Sequence, residues 1–171
     1  MTIGAILTAA VLSPSFSWTT SALSDLGRPD APTASLFNGG LIAGAILALP
    51  FVLRALLAAD HPLTRIGTAS FGFAAVAMGS VGAFPAGHPY HFPAAFSLYA
   101  LVTYGLFFYG SGRAIAESVR RGLLAIWLGV AHVTSWIAWG IGLRAGPGLA
   151  IPEAIGAAFF VGWIALAWES C

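Results

Sequence analysis

IGTASFGFAAVAMGSVGAFPAGHPYHFPAAFSLYALVTYGLFFYGSG, the stretch from Ile66 to Gly112, contains no Asp, Glu, Lys or Arg. As one helix rising about 1.5 Å per residue, it would overshoot a hydrocarbon core roughly 30 Å thick by about twofold. The chain must therefore cross twice here. The turn is visible at Pro85-Ala86-Gly87-His88-Pro89-Tyr90-His91-Phe92-Pro93, where three prolines deny helix continuity and two histidines want water or partners.

Working outward from this pair, charges mark the remaining boundaries. A charge at the bilayer centre costs about 2.5 to 3.5 kcal/mol on the insertion scale, so charged residues collect at the ends of spans. The gaps between them predict spans at 34–54, 65–84, 93–113, 122–143 and 149–168. The N-terminal apolar run, Thr2 to Leu12, would be only about 17 Å long as a helix and is followed by Ser13-Pro14-Ser15. Three readings of it stay open: a helix kinked at Pro14 that completes a span over 2–21, the remainder of a longer first helix, or a signal peptide. Against the last stands the lack of a Lys or Arg before the apolar residues. The expected fold is all-α, a polytopic transmembrane helix bundle of about six spans with a short first one, forming a single domain over 1–171.

Composition agrees. Of 171 residues, 58% are hydrophobic and 8% charged, against about 25% charged in soluble domains. Seven basic and six acidic side chains cannot coat a water-soluble globule without leaving large apolar patches. A net charge of +1 supplies no basic field for nucleic acid. All seven basic residues are arginine, and the one cysteine, Cys171, is the last residue, so no intrachain disulfide is possible. The ending Trp168-Glu169-Ser170-Cys171 is not a prenylation box, which needs the cysteine four from the end.

The arginines predict orientation. Arg54 and Arg65 flank one loop, and Arg113, Arg120 and Arg121 flank another two crossings later. By the positive-inside rule those loops, 54–65 and 113–121, are cytoplasmic, and the His88/His91 loop lies outside. The opposite face holds Arg28, Arg144, Asp25 and Asp30. Small residues predict helix contacts at Gly40 and Gly44, and at Gly72 and Gly79.

Three polar segments land on this non-cytoplasmic side: Ser21 to Gly27, His88 to His91, and Arg144 with Glu153. Asp25, His88 and His91 are ligand types that a hydrolytic zinc site uses, but Pro89 and Pro93 surround the histidines and no regular helix face need align both rings. A more ordinary reading makes Asp25, Asn38 and His91 a hydrogen-bonded cluster tying the outer ends of the first, second and fourth spans. More simply still, Asp25 bonds to local main-chain amides. His132 lies mid-span with Ser135, Trp136 and Trp139 on its side. It can bind a head group, relay a proton, line a cavity, or merely bond to a neighbouring helix. Glu153 and Arg144 are placed to pair across the last loop. Haem ligation by His88, His91 or His132 lacks opposing pairs at similar depth. There is no Gly-rich phosphate loop, His-Glu-x-x-His, Gly-x-Ser-x-Gly or Cys pair, and no cofactor is expected. No internal repeat between halves points to a transporter.

The run Phe16-Ser17-Trp18-Thr19-Thr20-Ser21-Ala22-Leu23-Ser24-Asp25-Leu26-Gly27, then Leu36-Phe37-Asn38-Gly39-Gly40-Leu41-Ile42, then Gly82-Ala83-Phe84-Pro85 with His91, resembles the prokaryotic membrane family called domain of unknown function 998. The resemblance covers nearly the whole chain. It implies six spans and carries the family motif onto Ser24, Asp25, Leu26, Gly27, Asn38, Phe84, Pro85 and His91. It names no reaction. The layout is also remotely similar to the Frag1/DRAM-type membrane proteins. The leading functional expectation is a non-enzymatic integral membrane protein that binds a lipid or small apolar ligand at its outer face. The candidate polar cluster is Ser24, Asp25, Asn38, His91, His132, Trp136 and Glu153. A membrane-embedded metal-dependent lipid hydrolase and an accessory subunit of a membrane complex are the alternatives. The expected partners are the bilayer, a lipid ligand, and copies of the chain or subunits of a complex.

Overall fold

The computed structural model describes residues 2–168; Glu169, Ser170 and Cys171, including the terminal cysteine, lie outside the described residues. It contains six α-helices: α1 (Thr2–Leu12), α2 (Ala34–Ala58), α3 (Pro62–Ala83), α4 (His91–Ala116), α5 (Val119–Gly140) and α6 (Ala150–Trp168), with one 3-10 turn at Leu23–Gly27 before α2. Five of them, α2 to α6, are long and apolar enough to cross a membrane; α1 is not. Large apolar side chains face outward along the bundle, among them Phe73 at 65% exposure and Leu57 at 75%. Water would not tolerate that surface, and hydrocarbon does.

Helix ends follow local chemistry. His61 caps α3 by accepting Leu63 N–H at Nδ1, 3.2 Å away, and Pro62 opens the first turn, where its missing donor costs nothing. That moves the start of α3 back from 65. Pro93 likewise sits in the first turn of α4, which begins at His91. Ser118 accepts Arg121 N–H and starts α5 at Val119, and Gly142, with φ +85°, follows its C-terminal end at Gly140. The kinked helix through Pro14 is not what forms. The last turn of α1 closes with Ser13 N–H on Ala9 C=O, and Phe16 N–H then turns back to Ser13 C=O.

Consecutive long helices are antiparallel. Gly112 lies against Thr64, Gly67 against the Tyr109 main chain, and Gly105 under the Phe71 ring, where a Cβ would stand 2.7 Å from the nearest ring atom. These glycines bring α3 and α4 to main-chain contact, the packing that small residues permit in membranes. The expected glycine contacts form as well: a Cβ at Gly40 would strike Ala5 and one at Gly44 would strike Thr2, fixing α1 on α2, while Gly72 and Gly79 face Val52 and Ala45. Trp163 of α6 stacks on Phe71 at 3.9 Å between ring centroids and meets Phe160 and Tyr109, so the arginine-rich end of the core is an aromatic stack. There Arg113 is buried, pairs with Glu117, and lies 5.8 Å from the Tyr109 ring centroid.

Antiparallel order leaves the bundle with two chemically different ends. One carries the connections 59–61 and 117–118. The other gathers the 3-10 turn, the connection 84–90 and the connection 141–149.

Candidate functional site

At this second end the segment before α2 is sewn down by short bonds. Asp25 Oδ2 accepts Ala22 N–H at 2.8 Å, Thr33 Oγ1 donates to Leu26 C=O at 2.9 Å, and Asn38 Nδ2 donates to Gly27 C=O at 2.8 Å. A Cβ at Gly27 would run into the Asn38 and Phe37 side chains, so a larger residue here would push Asn38 off its bond to the Gly27 carbonyl. The last connection docks on the same segment: Gly148 N–H bonds to Thr19 C=O at 2.9 Å and Ala150 N–H to Ser21 C=O at 3.0 Å. The polar segments therefore converge, but the side chains do not form the expected cluster. His91 Nδ1 bonds to Phe84 C=O at 2.7 Å, so Asp25, Asn38 and His91 each serve the main chain nearby and not one another.

The ion pair between Arg144 and Glu153 does not form either. Arg144 lies over the Trp139 ring, 4.9 Å from its centroid. Glu153, buried in the first turn of α6, accepts Leu23 N–H at Oε2, 2.6 Å away. A helix N-terminus favours a carboxylate, and the unpaired amide of the 3-10 turn supplies a donor. Outside the spans, the exposed Arg28 donates to Asp30 Oδ1 at 3.2 Å, and this hydrogen bond holds the Asp30 carboxyl below its ordinary range.

His132 is fully buried and wired on both sides. Thr103 Oγ1 has a carbonyl acceptor in Tyr99 at 3.0 Å, so its proton is committed and the oxygen accepts from His132 Nδ1–H, also at 3.0 Å. Nε2 is then free of hydrogen and accepts Trp136 Nε1–H at 3.0 Å. The neutral Nδ1–H tautomer satisfies every partner, and the chain of bonds joins α4 to α5. Of the tryptophans expected on this side, Trp136 joins the relay, whereas Trp139 Nε1 donates to Gly148 C=O at 2.9 Å. The Ser135 hydroxyl donates to the His132 carbonyl.

Beside this relay lies a cavity of about 470 Å³ bounded by α1, α2, α3, α4 and α6. Most of its wall is apolar, with Leu41, Phe51, Leu98 and Phe160, and its polar groups are few: Ser24, His91, Tyr99 and Glu153 among them. Gly156 forms part of the wall with Tyr99 and His132 directly behind it. Leu47, Val161 and Trp168 line the cavity and are themselves exposed, so it opens sideways between α2 and α6. Tyr99, whose hydroxyl donates to Glu153 C=O at 3.4 Å, is a member the sequence reading missed. Its signal was available: Tyr99 and Thr103 share a face of one span at four-residue spacing, opposite the one mid-span histidine.

Metal chemistry finds no ligand set. His88 Nδ1 accepts Tyr90 N–H at 3.2 Å and its ring stacks on Phe84, and among the described residues no three His, Cys, Asp or Glu side chains are grouped to hold an ion. No curated protein and no solved structure matches the chain, so the remote likeness to Frag1/DRAM-type proteins gains no support there. One family model does match, described as protein of unknown function, DUF998, and it aligns with residues 1–168. The five long apolar helices and the motif at Ser24 to Gly27 thus sit in a chain that belongs to the DUF998 family.

Proposed function

We propose that this protein binds a lipid or another small apolar molecule within the membrane, in the cavity between α2 and α6. The observation that carries the reading is the cavity itself. Its volume of about 470 Å³ falls in the range of small-molecule sites, roughly 300 to 1,000 Å³, and it combines an apolar wall with a few convergent polar groups. Its side opening faces the hydrocarbon, so an occupant enters from the bilayer without crossing water. The arginine distribution favours a cell membrane with the 54–65 and 113–121 loops cytoplasmic, which puts the polar end of the cavity toward the outer leaflet.

The test is retention of ligand. Protein purified in mild detergent is extracted with organic solvent and the extract is quantified by mass spectrometry, alongside Ala157→Phe, which fills the cavity from α6. A near-stoichiometric amphiphile in the wild type that is lost from the folded variant supports the reading. Equal content in both proteins overturns it.

A further inference from the structure

The polar end of the cavity has an unbalanced hydrogen-bond inventory. Because His91 Nδ1 faces a carbonyl oxygen, which can only accept, that nitrogen carries the proton, and in the neutral ring Nε2 is an acceptor. Glu153 uses Oε2 on the Leu23 amide, and among the described residues no donor is bonded to Oε1. The Tyr99 hydroxyl proton is spent on the Glu153 carbonyl, and the Leu23 amide on the Glu153 carboxylate. Thus, apart from the Ser24 hydroxyl, the polar side chains at this end offer acceptors to the cavity, while the Tyr99 and Leu23 donors are consumed inside the protein. No arginine lines this cavity, and the acidic side chain that does is Glu153. A negative head group placed beside the ionised Glu153 carboxylate would meet like charge in a medium of low dielectric.

Building on the cavity reading, we propose that the site selects single-chain amphiphiles whose head group donates hydrogen bonds and bears no negative charge, such as an alcohol or an amine, and rejects anionic ones. Glu153 Oε1 and His91 Nε2 receive the head group, and the chain lies along the apolar wall toward Phe51 and Phe160. Three lipid-like photoprobes of equal chain length separate this from mere apolar binding: a diazirine alkane, its terminal alcohol and its terminal sulfonate. Each is irradiated with the full chain in nanodiscs at pH 8.5. Labelling of Leu98 and Phe160, which line the cavity, is divided by labelling of the outward Phe73.

The expected result is a ratio at least about tenfold higher for the alcohol than for the sulfonate, from the repulsion of like charges a few ångströms apart. In Glu153→Gln, whose amide oxygen can still accept the Leu23 N–H, the sulfonate ratio should rise several-fold toward that of the alcohol. If all three probes label the lining equally in the wild type, the head-group rule is wrong and the cavity reading stands. If even the alkane labels the lining no better than Phe73, the cavity reading fails and the rule falls with it.

Discussion

Replacing His132 with leucine removes the middle of the relay that runs from Trp136 through His132 and Thr103 to the Tyr99 carbonyl. Leucine fills much of the space but neither donates nor accepts. Thr103 keeps its bond to Tyr99 C=O, so its loss is confined to the interhelical bond, worth about 0.6 kcal/mol on average within membranes and up to about 1.7. The Trp136 Nε1–H, half-buried, is left without an acceptor at a cost of about 1 to 3 kcal/mol. Together these predict that His132→Leu destabilises the bundle by about 2 to 4 kcal/mol. Reversible unfolding in mixed micelles, followed by circular dichroism, measures the loss. A double-mutant cycle with Thr103→Val isolates the interhelical bond and should return a coupling of about 0.6 to 1.7 kcal/mol. A His132→Leu protein as stable as the wild type, or a coupling indistinguishable from zero, would refute the assignment of His132 as the link between α4 and α5.

Two further perturbations address packing and charge. Gly67→Val places side-chain atoms against the Tyr109 main chain, which cannot yield as a flexible side chain would, so α3 and α4 must separate. A loss of about 1 to 3 kcal/mol is expected from overpacking, read as a lowered unfolding midpoint, whereas Gly39→Ala, where no atom lies near the added Cβ, should leave the midpoint unchanged. Glu117→Ala strips the buried Arg113 of its carboxylate and should cost about 1 to 3 kcal/mol, below the range for a fully buried pair because Glu117 itself is partly exposed. Replacing both residues with leucine in the same unfolding assay should recover most of that loss.

The fold was largely legible because its determinants are matters of length and solvation. A stretch without charges from Ile66 to Gly112 cannot be one span, and the prolines between Pro85 and Pro93 leave one place for it to turn. The side chains at the polar end were legible only as a neighbourhood. Asp25, Asn38 and Glu153 look like partners for one another or for arginine, yet each bonds to a main-chain group, the Ala22 amide, the Gly27 carbonyl and the Leu23 amide. Main-chain donors left over by a 3-10 turn are invisible in a pattern of side chains. For the same reason Arg144, apparently the natural partner of Glu153, goes instead to the face of Trp139. Helix ends moved by a few residues wherever a cap intervened, as His61 and Ser118 do, since a cap adds residues that charge positions do not mark.

Packing quality also varies systematically across the bundle, and this bears on how the cavity can exist. Along α3 the glycines at 67, 72, 79 and 82 bring it close to α2 and α4, and it buries the largest share of any span. Close packing of that kind leaves no room for a guest. On α6 the contacts differ. It meets α2 through rings, Phe51 against Trp163 and Trp168 at 5.7 and 6.0 Å between centroids, and it is anchored at its start by the Glu153 carboxylate on the Leu23 amide. The α2–α6 seam is therefore built from ring contacts, where α3 and α4 meet main chain to main chain. The Glu153 carboxylate both ties the start of α6 to the 3-10 turn that precedes α2 and lines the apolar space between the two helices.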